Sequence, residues 1–163
     1  MKKLWIILSI SVMFTGCASA ETFETLGDEL LQPAMAEVGQ INLSLPPEAS
    51  AQTMLSNDGD KLYFCDGYTA AVQIMDRGNL DRTCRQLCGF GADSLNILET
   101  VSDDGRRYDW VWTAAGEGGD VLGRVAVIDD GSYHYCVSLQ ADASMAGELE
   151  SQWIKLLSSF SVG

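Results

Sequence analysis

Two Asp-Gly pairs, each set between runs of alternating apolar residues, restrict the fold of this chain more than any other feature of the sequence. The pairs are Asp104-Gly105 and Asp130-Gly131, and Asp-Gly is a favoured two-residue turn of an antiparallel hairpin. Pairing outward from each turn gives cross-strand partners such as Val101 with Tyr108, and Ala126 with Tyr135. The sequence therefore predicts four consecutive antiparallel strands between about residue 95 and residue 139.

A second strand pair and a short helix are predicted before these hairpins. The stretch from Lys61 to Met75 alternates like two strands bent at Asp66-Gly67. Asn79 is a suitable N-cap, and Gly89 a suitable C′ residue, for a helix between them. One stripe of this helix is apolar, so we expect the helix to pack on the sheet.

The end of the chain carries the most regular amphipathic pattern. Beyond Ser144, apolar residues recur at helical spacing: Met145, Leu149, Trp153, Leu156 and Phe160. Both faces of the second hairpin are largely apolar, which is typical of strands covered on both sides. The predicted fold class is therefore α+β: a mainly antiparallel, twisted sheet built from hairpins, with the long C-terminal helix and the short mid-chain helix packed on it as a sandwich.

Both ends of the predicted domain carry short motifs. The first strand ends in "INLSLP", residues 41–46, and the last helix runs into "LLSSF", residues 156–160. This arrangement resembles the PsbP-like fold, which occurs in the oxygen-evolving accessory subunit of photosystems and in DcrB-type exported bacterial lipoproteins. The resemblance covers about Ile41 to Phe160. It implies an accessory or binding role and transfers no site residue to this chain.

The first twenty residues have the order of an export signal. Two lysines precede an apolar run, Leu4 to Phe14, which is shorter than the roughly 20 residues of a membrane-spanning helix. Two cleavage patterns then overlap: a cut before Cys17, which would receive a diacylglycerol, and a cut after Ala20, which would release the chain. We favour acylation of Cys17 and hence a protein tethered to the membrane outside the cytoplasm, with secretion as the alternative.

The sequence after the signal is expected to contain one domain and to be strongly acidic. Residues 21–40 are a spacer or a short leader helix, and residues 41–163 are a single α+β domain. All 23 acidic residues follow Ala20, and two lysines leave with the signal, so the formal net charge changes from −13 to −15. Such a surface repels phosphate backbones, which excludes nucleic acid as a partner. It favours an envelope protein with a cationic surface or a cell-wall cation, with solubility alone as the simpler alternative.

Three aromatic residues share one face of a predicted strand: Tyr108, Trp110 and Trp112. They could line a groove for a sugar or a peptide. The same face could equally be core, because apolar faces usually meet helices. The predicted position of Ile97 opposite Trp112 favours core.

Four cysteines remain after the signal: Cys65, Cys84, Cys88 and Cys136. An even count in an oxidising compartment permits three pairings. Cys65 and Cys136 both fall in predicted strands, so they are the candidate disulfide or a pair of adjacent thiols. Cys84 and Cys88 lie one helical turn apart, where a bridge would be strained, and they are interpreted as buried apolar residues.

His134 is the only histidine, which leaves no two-histidine metal site. It shares a strand face with Cys136, but residues two apart on a strand are separated by about 7 Å, roughly twice hydrogen-bond reach. No metal site and no cofactor are expected, and no catalytic constellation is identified. The sequence favours a non-catalytic accessory or binding domain. The alternatives are a thiol-based redox protein or enzyme, using Cys84 and Cys88 or using Cys136, and a small-ligand carrier using the aromatic strand faces.

Overall fold

A computed structural model describes residues 37–52, 60–102 and 105–163. These residues belong to one compact unit. The predicted export signal with Cys17, and residues 21–36 of the predicted spacer, lie outside the described residues.

The described residues form nine strands in two antiparallel sheets. The strands are β1 Ile41–Asn42, β2 Ser50–Ala51, β3 Lys61–Cys65, β4 Tyr68–Asp76, β5 Leu98–Ser102, β6 Gly105–Gly116, β7 Gly119–Asp129, β8 Tyr133–Asp142 and β9 Ser161–Val162. The main sheet has the order β2-β3-β4-β8-β7-β6-β5, and β1 pairs with β9 to form the second sheet. The predicted hairpins are therefore confirmed as neighbouring strands of one sheet.

Two α-helices, α1 (Leu80–Cys88) and α2 (Ala146–Ser158), accompany the sheet, with short 3-10 turns at Ala92–Ser94 and Ala143–Met145. The predicted caps are present at α1. The Asn79 side chain accepts a hydrogen bond from the Arg82 main-chain N–H, and Gly89 has a left-handed backbone with φ 81°. Both helices pack on the sheet through their apolar stripes, so the predicted α+β fold is confirmed.

The core has two halves, one on each face of the main sheet. On one face, α2 packs against alternate residues of the central strands, including Tyr68, Tyr135 and Leu139. On the other face, α1 packs against Trp110, Val125 and other residues of β6, β7 and β8. The central strands are therefore covered on both sides, as the apolar faces of the second hairpin predicted.

The first Asp-Gly hairpin differs in register from the prediction. Val101 lies opposite Arg106 rather than Tyr108, and Gly105 is the first paired residue of β6. The φ angle of Gly105 is 130°, and a Cβ at this position would come 2.5 Å from the main-chain oxygen of Asp129. The absence of a side chain at Gly105 therefore permits the close approach of the main chain at Asp129, the end of β7. The predicted role of Gly105 within a two-residue hairpin turn was wrong.

The second Asp-Gly hairpin is also displaced. Ala126 lies opposite Val137 rather than Tyr135. The Asp130 carboxylate accepts hydrogen bonds of 2.7 and 2.8 Å from the main-chain N–H groups two and three residues further on, which closes a longer loop than the predicted two-residue turn. Both displacements amount to two residues, so each side chain keeps the face that the sequence predicted for it.

Candidate functional site

Two of the three predicted groove residues are buried beneath α1, and the third lies at the margin of that contact. Tyr108 and Trp110 are 9% and 2% exposed, and they form one core cluster with Leu87 of α1, with Trp112 packed at its margin. The Trp112 ring contacts Phe90, just after α1, with 6.1 Å between ring centroids. Tyr108 and Trp110 therefore form core, as the alternative predicted, and the groove along all three residues was a wrong prediction. Trp112 also lines a cavity of about 260 Å³ with Phe90 and Leu95.

The predicted disulfide between Cys65 and Cys136 does not form. Both thiols are free. Cys136 packs on the α1 face, whereas Cys65 packs on the α2 face at the end of β3. Both cysteines pair with residues of β4: Cys136 lies opposite Gln73, and Cys65 lies opposite Tyr68. Gln73 and Tyr68 are five residues apart, so the two cysteines are separated by roughly 17 Å along the strand direction. A disulfide requires Cα atoms within about 7 Å.

Burial makes the thiols of Cys84 and Cys136 poor nucleophiles. It raises the pKa of Cys84 to about 11 and the pKa of Cys136 to about 12. The thiol of Cys136 lies 3.5 Å from the main-chain oxygen of His134, and that of Cys88 donates to the main-chain oxygen of Cys84. Because thiolates rather than thiols attack electrophiles, the raised pKa values disfavour a redox or nucleophilic role for Cys84 and Cys136.

His134 belongs to a buried polar network that the sequence did not predict. Its Nδ1 lies 2.7 Å from the hydroxyl oxygen of Thr83 on α1, and its Nε2 lies 3.7 Å from Asp129. His134 and Thr83 are 2% and 3% exposed. Asp129 is also approached by Arg77 at 3.4 Å and accepts a hydrogen bond from the Gly131 main-chain N–H. The network joins α1 to the turn between β7 and β8.

The chemistry of this network is structural. Burial lowers the pKa of His134 and Arg77 acts in the same direction, although the Asp129 carboxylate opposes them. A neutral imidazole bonded to one hydroxyl satisfies a buried polar group. Thr83 lines a polar cavity of about 280 Å³ between β4 and α1, but its hydroxyl is already hydrogen-bonded to His134. The arrangement therefore anchors α1 on the sheet.

Charge is distributed unevenly between the two ends of the main sheet. At one end, five carboxylates lie in the turns, strand ends and first turn of α2: Asp66, Glu117, Asp120, Asp142 and Glu148. All five residues are exposed, and no lysine or arginine of the described chain lies in the turns or strand ends there. At the opposite end, Arg77, Arg106 and Arg107 each pair with a carboxylate. We call the first end the acidic end.

An exposed aromatic ring lies beside the acidic end. Phe64 on β3 is 43% exposed and is two residues from Asp66. Rings of this kind frequently anchor protein–protein contacts because they bury a large apolar area with little loss of conformational freedom.

Comparison with known proteins supports the fold. No protein-family model and no curated protein match this chain. Among solved structures, the fold is similar to that of the Ran-binding protein Mog1p of Saccharomyces cerevisiae, with a TM-score of 0.51 and 14% sequence identity over 75% of this chain and 89% of that one. At this level of identity the similarity shows a shared fold and transfers no site.

The described residues were also compared with the requirements of a membrane span and of a metal site. Neither helix of the described residues is long and apolar enough to span a membrane. Within residues 37–52, 60–102 and 105–163, no group of three His, Cys, Asp or Glu side chains is arranged to hold a metal ion.

Proposed function

We propose that this chain is an exported, membrane-tethered, non-catalytic accessory or binding domain that recognises an envelope protein with a cationic surface. The observation that carries the proposal is the acidic end of the sheet, where five exposed carboxylates lie beside the exposed ring of Phe64 and the described turns and strand ends contain no lysine or arginine. Charge of one sign on a protein surface attracts and orients a partner of opposite charge. An adjacent aromatic ring supplies apolar contact area.

We propose no catalytic role because the histidine and two of the thiols are buried and engaged in the structure. His134 is bonded to Thr83, and burial raises the thiol pKa values of Cys84 and Cys136. A protein-binding role is also compatible with the similar structure, since Mog1p is a Ran-binding protein. The resemblance to PsbP-like and DcrB-type proteins, with its implied accessory role, remains a prediction.

The partner is tested by crosslinking in the native envelope. A photoreactive phenylalanine derivative at position 64 should capture one dominant protein. Replacing Glu117 and Asp120 together by lysine should abolish the crosslink, whereas the matched replacement of Asp76 and Asp93 by lysine should leave it intact. Purified partner should bind more weakly as ionic strength rises. An unchanged crosslink after reversal at the acidic end would contradict the electrostatic part of the proposal.

Tethering is tested separately. Globomycin, which blocks processing of lipid-modified precursors, should cause the precursor to accumulate, and Cys17→Ala should release the chain from the membrane fraction. Normal maturation with globomycin, together with a mature N-terminus at Glu21, would instead show ordinary secretion.

A further inference from the structure

A second cavity lies on the α2 face, between the helix and the strands β6 and β7. Its volume is about 280 Å³, and its lining includes Val111, Leu122, Arg124, Gly147, Glu150 and Trp153. Arg124 is opposite Val111 in the β6–β7 ladder. Glu150 and Trp153 are three residues apart on α2 and therefore on neighbouring positions of its surface. The cavity thus has an apolar floor on the sheet and one wall on the helix.

This cavity is open beside Val111 of β6, although α2 meets β6 further along, where Arg107 donates a hydrogen bond to the Leu157 main-chain oxygen. Val111 on β6 is 52% exposed, whereas Leu139, the β8 residue in the same row of the sheet, is fully buried. A Cβ added to Gly147 would meet no heavy atom within 4 Å. Apolar surface and unoccupied space therefore coincide at the first turn of α2.

The cavity contains two opposite charges that do not pair with each other. Arg77, Arg85, Arg106 and Arg107 each form an ion pair with a carboxylate. Within the described part of the chain, Arg124 and Glu150 form neither an ion pair nor a side-chain hydrogen bond. Arg124 is also partly buried, so its guanidinium has lost part of its hydration without gaining a partner.

Trp153 contributes part of its ring to the wall of the same cavity. It is 3% exposed, and its indole N–H is buried without a hydrogen-bond partner in the described structure. A buried donor without a partner costs about 1–3 kcal/mol. The first turn of α2, at Gly147, also carries the partial positive charge of a helix N-terminus.

We infer that this cavity binds a free α-amino acid with an apolar side chain. The Arg124 guanidinium receives the ligand carboxylate, the Glu150 carboxylate receives the ligand ammonium, and Val111, Leu122 and Trp153 contact the apolar side chain. A zwitterion is favoured over a simple anion, because Glu150 would repel a lone carboxylate and the whole chain is acidic. The cavity lies just below the volume range of drug-sized ligand sites, which suits a molecule of this size.

The experiment measures binding of L-leucine, N-acetyl-L-leucine and L-leucinamide by calorimetry. Free leucine should bind saturably and at least about tenfold more tightly than either derivative, because each derivative lacks one charge. Arg124→Gln should weaken leucine binding about tenfold and remove the discrimination against leucinamide. Glu150→Gln should remove the discrimination against N-acetyl-leucine. The matched control Arg82→Gln, on the helix of the opposite face, should bind leucine like the parent.

A second variant tests the position of the site without removing a charge. Gly147→Leu should remain folded, because the added side chain enters open space, and it should abolish leucine binding. In the parent protein, leucine should shift the indole N–H resonance of Trp153, assigned with Trp153→Phe, and leave that of Trp110 unchanged. The inference would be overturned by non-saturable binding, by equal binding of all three compounds, or by parental affinity in Gly147→Leu. None of these outcomes depends on the protein partner proposed above.

Discussion

A glycine-to-alanine change at position 123 tests how tightly the α1 face is packed. Gly123 is buried in β7, directly opposite Trp112 in the ladder with β6. An alanine Cβ there would lie within 3.0 Å of three ring atoms of Trp112, whereas ordinary van der Waals contact begins at 3.4 Å. The indole ring must therefore move, and Phe90 restricts that movement from the α1 side.

The expected cost follows from two opposing effects. Overpacking a well-packed core costs about 1–3 kcal/mol, and replacing glycine lowers the entropy of the unfolded chain, which returns about 0.4–1 kcal/mol. Taking the middle of each range, we expect Gly123→Ala to reduce the free energy of unfolding by about 1.3 kcal/mol. Urea denaturation followed by far-ultraviolet circular dichroism measures this change without depending on tryptophan fluorescence.

Two controls make the result decisive. Gly147→Ala is the same chemical change in open space on α2, and it should stabilise the protein by about 0.4–1 kcal/mol. Combining Gly123→Ala with Trp112→Leu should cost less than the sum of the two single changes, because the smaller side chain removes the overlap. Full stability of Gly123→Ala, or additive effects in the double variant, would refute the proposed contact between the ring and the glycine.

Three further predictions concern the buried polar groups. Thr83→Val removes the hydroxyl that bonds His134, and it should lower the free energy of unfolding, measured by urea denaturation, by about 1–3 kcal/mol. The control Thr100→Val, on exposed β5, should change that free energy by less than about 0.5 kcal/mol. Equal effects of the two changes would contradict the network. Because burial lowers the pKa of His134, its imidazole proton resonance in the untagged chain should titrate below about 6.5. The unfolded chain then binds more protons than the folded chain, so this residue reduces stability as pH falls from about 6.5 towards its folded pKa; a midpoint above 6.5 would reverse the sign. Burial raises the thiol pKa of Cys84 to about 11 and that of Cys136 to about 12. Both thiols should therefore react with iodoacetamide far more slowly in the folded protein than in urea. Equal rates, measured by mass spectrometry, would show that the thiols are accessible.

The elements of this fold could be predicted because their signals are local. The Asn79 cap bonds within the first turn of α1, and Gly89 ends that helix in the left-handed conformation. Leu149, Trp153 and Leu156 are buried on one side of α2 as their spacing predicted. Such features depend on neighbours three or four residues away, so the chain specifies them without knowledge of the rest of the molecule.

The hairpin registers were predicted wrongly because they depend on contacts between separate turns. Gly105 is required by the main chain of Asp129, which is distant in sequence. The carboxylate of Asp130 builds a longer loop from hydrogen bonds to its own turn. Asp-Gly indicates a tight turn when considered alone, and it does not indicate which other turn lies against it.

By itself, the sequence determined the order and type of the elements, the faces that carry apolar residues, the excess of negative charge and the expectation of export. Only the tertiary structure decided what meets each face. It placed Trp110 beneath α1, separated Cys65 from Cys136 and bonded His134 to Thr83. It also brought Arg124 and Glu150 into one cavity, where neither has an ion-pair partner among the described residues. The physical reason is range: periodicity and capping act within a few residues, whereas burial, pairing and exclusion from water arise between segments that meet only after folding.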